Sequence, residues 1–299
     1  MFLKKGPSLD QMIDEFLLAR LSERYSPHTI RSYEVILHKF SDFLGGSRTR
    51  FASVGISDIR RFLGSLNGVS DKTVLNHHIA LSSLWSWAVE NGYTDEQIVQ
   101  KTKTPRYTKR RIIPFSAEEF RKIYRACRTD RDRAIVMVLV DSGLRASELT
   151  NLVVEDWQNG VLQIRQAKGK KSRAVPISQQ TEKALFRQLG RRQIREGGIV
   201  GGAALFASSL SGKPLCYDTL RSLLDRLEKY SSVRGVHAHR FRHTFAITFL
   251  RNGGDIYTLK RILGHSTLTM VQNYLDIVQS DVVAAHQKAS PVVNWQIGK

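Results

Sequence analysis

The chain has 299 residues, 41% of them hydrophobic, which is enough for two globular domains with separate cores. Lys and Arg number 46 against 27 Asp and Glu, and the formal charge of +19 predicts a polyanionic partner, with nucleic acid as the first candidate. No apolar run reaches the roughly 18–20 residues that cross a bilayer, and the N-terminus lacks the apolar core of a signal peptide, so we expect a soluble cytoplasmic protein that does not contact membranes.

Residues 1–103 are predicted to form a helical domain. Apolar residues recur at helical spacing in four segments, and Ser8 and Ser26 precede the first two as N-cap candidates, with Pro27 at a first helical position. Residues 1–105 carry 13 Lys and Arg against 11 Asp and Glu, an excess of +2, whereas the rest of the chain carries 33 against 16, an excess of +17. The second part is therefore expected to hold phosphates more closely, although a small net charge does not prevent the first from binding DNA.

Residues 104–114 are polar and basic, include two prolines, and show neither helical nor strand periodicity. We interpret them as an interdomain linker. A cationic linker can follow a DNA backbone, or it can be a solvated tether, and the segment alone leaves both open. Its candidate DNA contacts are Lys109, Arg110 and Arg111.

Residues 115–299 are predicted to form a second, mainly helical domain. Ser116 and Glu119 fit a capping box ahead of its first helix. The periodicity then changes, and residues 161–177 predict a hairpin of two strands joined by a lysine-rich turn. Helices are expected again over about residues 179–195, 217–231 and onward to 289. The glycines of residues 197–202 lack the sequence context of a phosphate-binding loop, so we reject that interpretation.

Residues 237–243 contain three histidines and two arginines, directly ahead of an apolar run. This stretch predicts the start of a helix, on which His239 and Arg242 share one face because they lie three residues apart. A solvated basic face, or histidines with structural hydrogen bonds, would give the same pattern. The residues expected to be buried on the other face are Phe241, Phe245 and Phe249.

Two further segments place polar groups next to predicted helix ends. Gly264 ends one helix, which leaves His265 in a turn, and Tyr274 lies beside the apolar stripe of the helix that follows. Arg145 falls between two predicted helices, from where it could reach a ligand. Taken alone, Tyr274 could be an ordinary half-buried tyrosine, and Arg145 could simply pair with Glu148, three residues further on.

Together these motifs resemble the tyrosine recombinase (phage integrase) family. The carriers of the resemblance are "GLRASEL", a lysine-bearing hairpin, "HRFRH", and "LGH" with a tyrosine nine residues later, in the family's order and spacing. They span the second domain, and the helical first domain resembles the family's core-binding, SAM-like domain, as in the simple Xer-like recombinases. The fold so implied is mainly α with a small β-hairpin or sheet, arranged as a two-domain DNA clamp.

The resemblance implies a catalytic role for each matching residue. Tyr274 is the nucleophile that forms a 3′-phosphotyrosyl intermediate, and Arg145 and Arg242 clamp the nonbridging phosphate oxygens, for which planar guanidinium groups are suited. His239 assists the deprotonation of the tyrosine or binds the phosphate, and His265 donates to a nonbridging oxygen. The residues expected to support these groups are Glu148 and His243.

The hairpin lysine of the family protonates the departing 5′-oxygen. Alignment of "KG" and "RAVPI" with the family's hairpin selects Lys168, although Lys170 remains an alternative because the turn is rich in lysine. The hairpin residues expected to contact DNA are Lys170, Lys171 and Arg173.

The resemblance also implies the partners. It predicts double-stranded DNA with paired core sites, recombination through a Holliday junction, and no metal or other cofactor. A homotetramer on DNA would exchange C-terminal segments through a short apolar patch at Val282, Val283 and Ala285. Accessory DNA-bending proteins and an association with the nucleoid are expected in addition. The biological role would be the integration, excision or resolution of a mobile element, or the resolution of chromosome dimers.

Two other functions were weighed. A type IB topoisomerase uses similar chemistry but relaxes supercoils as a monomer, and the helical first domain and the segment after Tyr274 favour recombination instead. A DNA-binding regulator with an inactive centre is the second alternative, and the complete set of catalytic residues argues against it. The DNA sequence recognised does not follow from the chain, because base contacts depend on groove geometry.

Overall fold

The structure is a computed structural model that describes residues 6–107, 112–165, 172–199, 201–208 and 212–265, with residues 267–268, 271–272, 274–275, 286 and 290–295 near the C-terminus. The chain divides into two compact units, Met1–Arg110 and Arg111–Lys299. Several predicted functional residues lie outside the described residues. These are Lys109, Arg110, Arg111, Lys168, Lys170, Lys171, Val282, Val283 and Ala285.

The first unit is built from four helices, α1 (Leu9–Ser22), α2 (Pro27–Phe43), α3 (Ile56–Ser65) and α4 (Asp71–Glu90). The side chain of Ser8 accepts a hydrogen bond from the Gln11 amide, and that of Ser26 accepts one from the Thr29 amide. Each serine thereby satisfies a backbone donor that the first turn of a helix leaves free. Local capping thus starts α1 and α2 where the sequence predicts.

Aromatic side chains fill the core of this unit. Phe40 and Phe62 pack edge to face with ring centroids 5.0 Å apart, and Phe51 stacks on Trp85 at 4.9 Å. Trp85 and Trp87 are 2% and 6% exposed, so both indoles serve the core. Such pairs add about 0.5–1.5 kcal/mol each beyond the area that they bury.

The second unit contains helices α5 (Ala117–Ala126), α6 (Asp130–Ser142), α7 (Ala146–Thr150), α8 (Gln179–Glu196), α9 (Tyr217–Ser231), α10 (Ala238–Arg251) and α11 (Ile256–Leu263), and a short helical segment Pro291–Asn294. Helix α6 is the central element, because it packs against both α8 and α10. Its apolar residues are buried on more than one face, namely Ala134, Ile135, Val136, Val138 and Leu139. Helix α6 is therefore held in place by its contacts with α8 and α10.

A partly buried polar contact fixes α8 to the C-terminal end of α6. Asp141 Oδ2 accepts hydrogen bonds from the Ser178 amide at 2.7 Å, the Ser178 hydroxyl at 2.8 Å and the Thr181 hydroxyl at 2.7 Å. Because Ser178 is also the N-cap of α8, one carboxylate anchors the first turn of that helix.

A three-stranded antiparallel sheet follows α7. Strands β1 (Trp157–Gln158), β2 (Val161–Ile164) and β3 (Arg173–Pro176) lie in the order β1-β2-β3, with Ile164 opposite Arg173. The sequence predicted only β2 and β3, since a two-residue strand has no measurable periodicity. Asn159 and Gly160 both have positive φ, at 49° and 73°, so the Asn-Gly pair was the available signal for the extra hairpin. The mainly helical fold with a small sheet is confirmed.

The two cysteines are free thiols in different surroundings. Cys127 is buried, and this burial raises the pKa of its thiol to about 12, whereas Cys216 is exposed. In the part of the chain that the structure describes, no helix combines the length and apolarity that a bilayer crossing requires.

Candidate catalytic site

Arg242 lies at the centre of the site in the second unit and is only 2% exposed. Its Nη1 donates to the Gly143 carbonyl at 2.7 Å, and its Nη2 donates to the Leu263 carbonyl at 2.8 Å. These carbonyls stand at the C-terminal ends of α6 and α11, where the helix dipoles favour a cation. The guanidinium group is therefore fixed in place before any ligand binds.

Two glycines determine how the backbone turns next to Arg242. Gly143 and Gly264 follow α6 and α11 with φ of +62° and +64°, the left-handed region that ends a helix sharply. A Cβ on Gly143 would lie 2.5 Å from Phe245 Cδ1 and 2.9 Å from Leu263 Cδ2. Only glycine fits at Gly143, so the sequence dictates where this carbonyl points.

Burial and the nearby charge of Arg145 lower the pKa of Arg242 to about 10, while Glu148 and Tyr274 act in the opposite direction. Arg242 still carries its charge near neutral pH. The site therefore holds a cation that is partly stripped of water, which strengthens its attraction for an anion.

Arg145 is the more accessible of the two arginines, with 39% of its side chain accessible. It stands at the N-cap of α7, and its Nη1 donates to Glu148 Oε1 at 2.9 Å and to the Leu263 carbonyl at 3.5 Å. Arg145 and Arg242 thus share the Leu263 carbonyl and converge on one point. The sequence left the ion pair with Glu148 as an alternative to a ligand contact. In the structure, Arg145 forms this ion pair and its side chain is still partly accessible.

Arg173 differs from the prediction that it contacts DNA. Its side chain is only 9% exposed, and Nη1 and Nη2 donate to the two carboxylate oxygens of Glu148 at 2.9 and 2.8 Å. Its Nε donates to the Ile262 carbonyl at 2.6 Å. All three guanidinium nitrogens serve contacts within the protein, which argues against the predicted contact with DNA.

His265 follows Gly264 and lies against Arg242. Its Nε2 is 2.8 Å from Arg242 Nη2, and because a guanidinium only donates, this nitrogen must accept. The ring proton then lies on Nδ1, which is buried and has no hydrogen-bond partner among the described residues. Burial, followed by the charges of Arg242, Arg145 and Arg173, lowers the pKa of His265 to about 4, so the ring is neutral and carries one unused donor.

Tyr274 is buried rather than presented to solvent. It is 4% exposed, and its hydroxyl lies 2.9 Å from Nδ1 of His243. Burial raises the pKa of Tyr274, while the charges of Arg242 and Arg145 act to lower it. Burial also lowers the pKa of His243 to about 4, with further contributions from His239, His237 and Arg242. The imidazole of His243 is therefore neutral near pH 7, and it forms a hydrogen bond with the tyrosine hydroxyl.

His239 lies one helical turn before His243, and the two rings pack edge to face with centroids 4.1 Å apart. The resemblance assigned His239 either to the deprotonation of the tyrosine or to the phosphate, and in the structure the residue hydrogen-bonded to Tyr274 is His243, four residues further on. His239 and His243 lie on the same side of α10 because they are four residues apart. The position of Tyr274 therefore decides which of the two histidines it contacts.

The predicted residues fall into two hydrogen-bonded groups. Arg242 connects to His265, and Glu148 links Arg145 to Arg173, whereas His243 joins Tyr274. Sequence reasoning missed the roles of the Gly143 and Leu263 carbonyls, for which the only signal was the glycine after each helix. Within the described residues, no group of three or more His, Cys, Asp or Glu side chains is placed to hold a metal ion.

Comparison with protein families matches both units. Residues 114–280, more than half of the chain, match the phage integrase family, and residues 13–92 match the phage integrase N-terminal SAM-like domain. The first match contains every described residue of the site, from Arg145 to Tyr274.

Individual proteins are similar over nearly the whole chain. Tyrosine recombinase XerC of Oceanobacillus iheyensis is 29% identical over 300 residues, covering 96% of this chain and 98% of that protein. The Tn1549 transposon integrase in complex with a circular intermediate DNA has a TM-score of 0.76 at 20% identity, covering 93% of this chain and 100% of that one. A lambda integrase tetramer bound to a Holliday junction has a TM-score of 0.73 at 19% identity, covering 89% and 80%.

Proposed function

Because the chain belongs to the phage integrase family, we propose that it is an Xer-type tyrosine site-specific recombinase and that the site around Arg242 is its catalytic centre. The observation that carries this assignment is the convergence of Arg145, Arg242 and His265 at the ends of three helices. Two cations next to a neutral imidazole suit a phosphate that gains negative charge during the reaction.

The proposed reaction exchanges one phosphoester for another. The Tyr274 oxygen attacks the scissile phosphorus, the bond from phosphorus to the 5′-oxygen breaks, and the 5′-hydroxyl leaves with a proton. The product is a 3′-phosphotyrosyl ester, which the 5′-hydroxyl of a second strand attacks in turn to release Tyr274. Because the ester is conserved throughout, the exchange proceeds through a Holliday junction without ATP or another high-energy cofactor.

Arg242 and Arg145 have different parts in the proposed transition state. Arg242 is already held by two carbonyls, so its charge needs little reorganisation when the phosphate binds. Arg145 is accessible and can donate in parallel to the nonbridging oxygens. The unused Nδ1–H of His265 is the third proposed donor. Lys168 remains our proposal for the acid that protonates the 5′-oxygen, with Lys170 as the alternative.

Proton removal from Tyr274 is proposed to involve the histidine pair. His243 is neutral and is hydrogen-bonded to the hydroxyl, and the adjacent, exposed His239 can receive the proton or contact the phosphate. Since Tyr274 is only 4% exposed, attack on a phosphate requires that the tyrosine first leave its burial site. We therefore propose that cleavage follows a rearrangement of the segment that carries Tyr274.

The proposed assembly is a homotetramer on two paired core sites, with exchange of C-terminal segments between subunits. The lambda integrase tetramer on a Holliday junction supports it by similarity of fold. An apolar cavity of about 380 Å³ in the second unit, lined by Phe115, Phe120, Val140, Phe245 and Phe249, suits the small apolar side chains at 282–285 of a neighbouring subunit. Accessory DNA-bending proteins and action at the nucleoid in the cytoplasm are further proposals.

The biological role follows from the relatives as a proposal. The similarity to a transposon integrase supports the movement of a mobile element as the task, and chromosome dimer resolution remains the alternative proposal.

The first experiment incubates the wild-type protein and Tyr274→Phe with supercoiled plasmids that carry candidate sites from the genomic neighbourhood. Denaturing gels before and after protease treatment reveal protein joined to DNA. We expect a protease-sensitive adduct and recombinant products with the wild type only, because phenylalanine lacks the attacking oxygen.

The same gels separate the alternatives. Relaxed plasmid and an adduct without recombinants would identify a type IB topoisomerase. Site-specific binding without an adduct, even on nicked suicide duplexes that trap cleavage, would instead identify an inactive DNA-binding regulator.

A further inference from the structure

Arg173 joins three separate segments of the second unit. It is the first residue of β3, it forms a two-pronged ion pair with Glu148 of α7, and its Nε donates to the carbonyl of Ile262 in α11. The side chain is 9% exposed, so the contacts form largely away from water. A surface ion pair contributes little to stability, but a buried, bidentate one fixes its partners in one geometry.

Glu148 is shared between two arginines of unlike exposure. Its Oε1 accepts from Arg145 Nη1 and from Arg173 Nη1, both at 2.9 Å, while Oε2 accepts from the Arg145 amide and from Arg173 Nη2, both at 2.8 Å. One negative charge thus serves two positive charges. The Arg173 side chain donates to both carboxylate oxygens of Glu148, whereas the Arg145 side chain donates to this carboxylate only through Nη1.

The Arg173 guanidinium group also packs under the turn that carries His265. A Cβ on Gly264 would lie 3.0 Å from Arg173 Nη1 and 3.1 Å from its Cζ, so the planar group occupies the space that a side chain would take. The Ile262 carbonyl that receives Nε lies two residues before this glycine. Arg173 therefore supports the backbone on both sides of Leu263, whose carbonyl holds Arg242 and Arg145.

We propose that Arg173 is a positioning residue for DNA cleavage: it holds the Glu148 carboxylate so that Arg145 stays free for the phosphate, and it fixes the turn that presents His265. The inference rests on the proposed function. Arg173 touches neither DNA nor the reacting atoms in this role, and it acts through Arg145 and His265. Without Arg173, Arg145 is the one cation among the described residues that still pairs with the carboxylate, which then competes with the phosphate for it.

The test is single-turnover cleavage of a nicked suicide duplex that carries the site found by the plasmid assay. Arg173→Met is expected to slow adduct formation by about 100-fold, because small displacements of positioned groups have effects of this size. The affinity for the same duplex should stay within about threefold, since Arg173 makes no phosphate contact. Arg173→Lys should fall between, because lysine keeps the charge without the fork that spans both carboxylate oxygens.

The double variant Glu148→Gln with Arg173→Met distinguishes positioning from simple structural support. Neutral glutamine competes weakly for Arg145, so the double variant should cleave about tenfold faster than Arg173→Met alone and within about threefold of Glu148→Gln. A merely structural Arg173 would make the double variant slower than either single variant, and this result would overturn the inference. If Arg173→Met fails to fold, the comparison of the double variant with Glu148→Gln still decides.

Arg226→Met is the matched control. Arg226 pairs with Asp132 at 2.9 Å, and that carboxylate is 1% exposed, at the end of α6 remote from Gly143. Its loss should lower thermal stability while leaving the cleavage rate of the folded protein unchanged. Equal slowing by Arg226→Met and Arg173→Met would overturn the inference. Absence of an adduct with the wild type would overturn the proposed function itself, and with it the role of Arg173.

Discussion

Arg145 and Arg242, the two arginines proposed to bind the phosphate, differ sharply in burial. Arg242 is nearly inaccessible and is held by the carbonyls of Gly143 and Leu263, whereas 39% of the Arg145 side chain is accessible. A buried guanidinium is oriented in advance, and an exposed one can follow the phosphate as charge develops. The site thus combines a fixed cation with an adjustable one.

The pKa values of His243 and His265 lead to a prediction for the DNA-free protein. Both are lowered to about 4, chiefly by burial, so both rings should remain neutral down to about pH 5. NMR spectra of labelled imidazoles recorded across pH 3–8 would measure this, with His243→Gln and His265→Gln assigning the signals. Midpoints near 6.5, the ordinary value, would show that the rings are not buried as described.

The same shifts set the sign of the pH dependence of stability. Because each pKa is lower in the folded protein than in the unfolded chain, the unfolded chain binds more protons between about pH 6.5 and 4. The contribution of these rings to stability is therefore complete above pH 6.5 and is lost as the pH falls through this window. Thermal unfolding of the two glutamine variants should accordingly depend less on pH than that of the wild type.

At the scale of secondary structure elements, the site is made from helix ends. The carbonyls after α6 and within the last turn of α11 bind Arg242, so each helix must stop at the right residue and turn sharply. Glycine provides this stop at Gly143 and Gly264.

Gly143→Ala should therefore be strongly unfavourable. The left-handed backbone and the 2.5 Å approach of a Cβ to Phe245 together predict a loss of about 2 kcal/mol or more in unfolding free energy. Urea denaturation of the full chain measures it, and adduct formation should fall as well because the Arg242 carbonyl shifts. Gly190→Ala in α8 is the control, with no atom within 4 Å of the added Cβ, and it should be neutral or slightly stabilising. Equal stability of the two variants would contradict the assignment of Gly143.

At the scale of the whole molecule, the positive charge is unevenly distributed. The excess is +2 over residues 1–105 and +17 over the remainder, which also contains the catalytic site. DNA affinity should consequently fall steeply with salt, as phosphate-dominated binding does.

The C-terminal segment supplies the prediction for the assembly. Deletion of residues 279–299 should abolish recombination between two sites, because this segment is proposed to enter the cavity lined by Phe245 and Phe249 of the next subunit. Binding to one core site should persist and serves as the control. Gel analysis of paired-site complexes and recombinants measures the effect, and unchanged recombination by the truncated protein would refute segment exchange.

The sequence alone determined the mainly helical fold, the order of the motifs and the identity of the family. These properties depend on local patterns: serine caps, helical apolar stripes, and the fixed spacing from His265 to Tyr274. The predicted phenylalanine face was correct for Phe241, which is buried, whereas Phe245 and Phe249 are half-buried and line a cavity.

Only the tertiary structure decided how the polar groups are paired. It pairs the Tyr274 hydroxyl with His243 and the Arg173 guanidinium group with Glu148. It also selected the carbonyls that hold Arg242. Residues far apart in the chain meet through the packing of α6, α10 and α11. Every residue has a backbone carbonyl, so the sequence does not show which carbonyl will bind a given side chain. Spacing along one helix limits the candidates, but burial and long-range contact select among them, because an unpartnered buried polar group is costly.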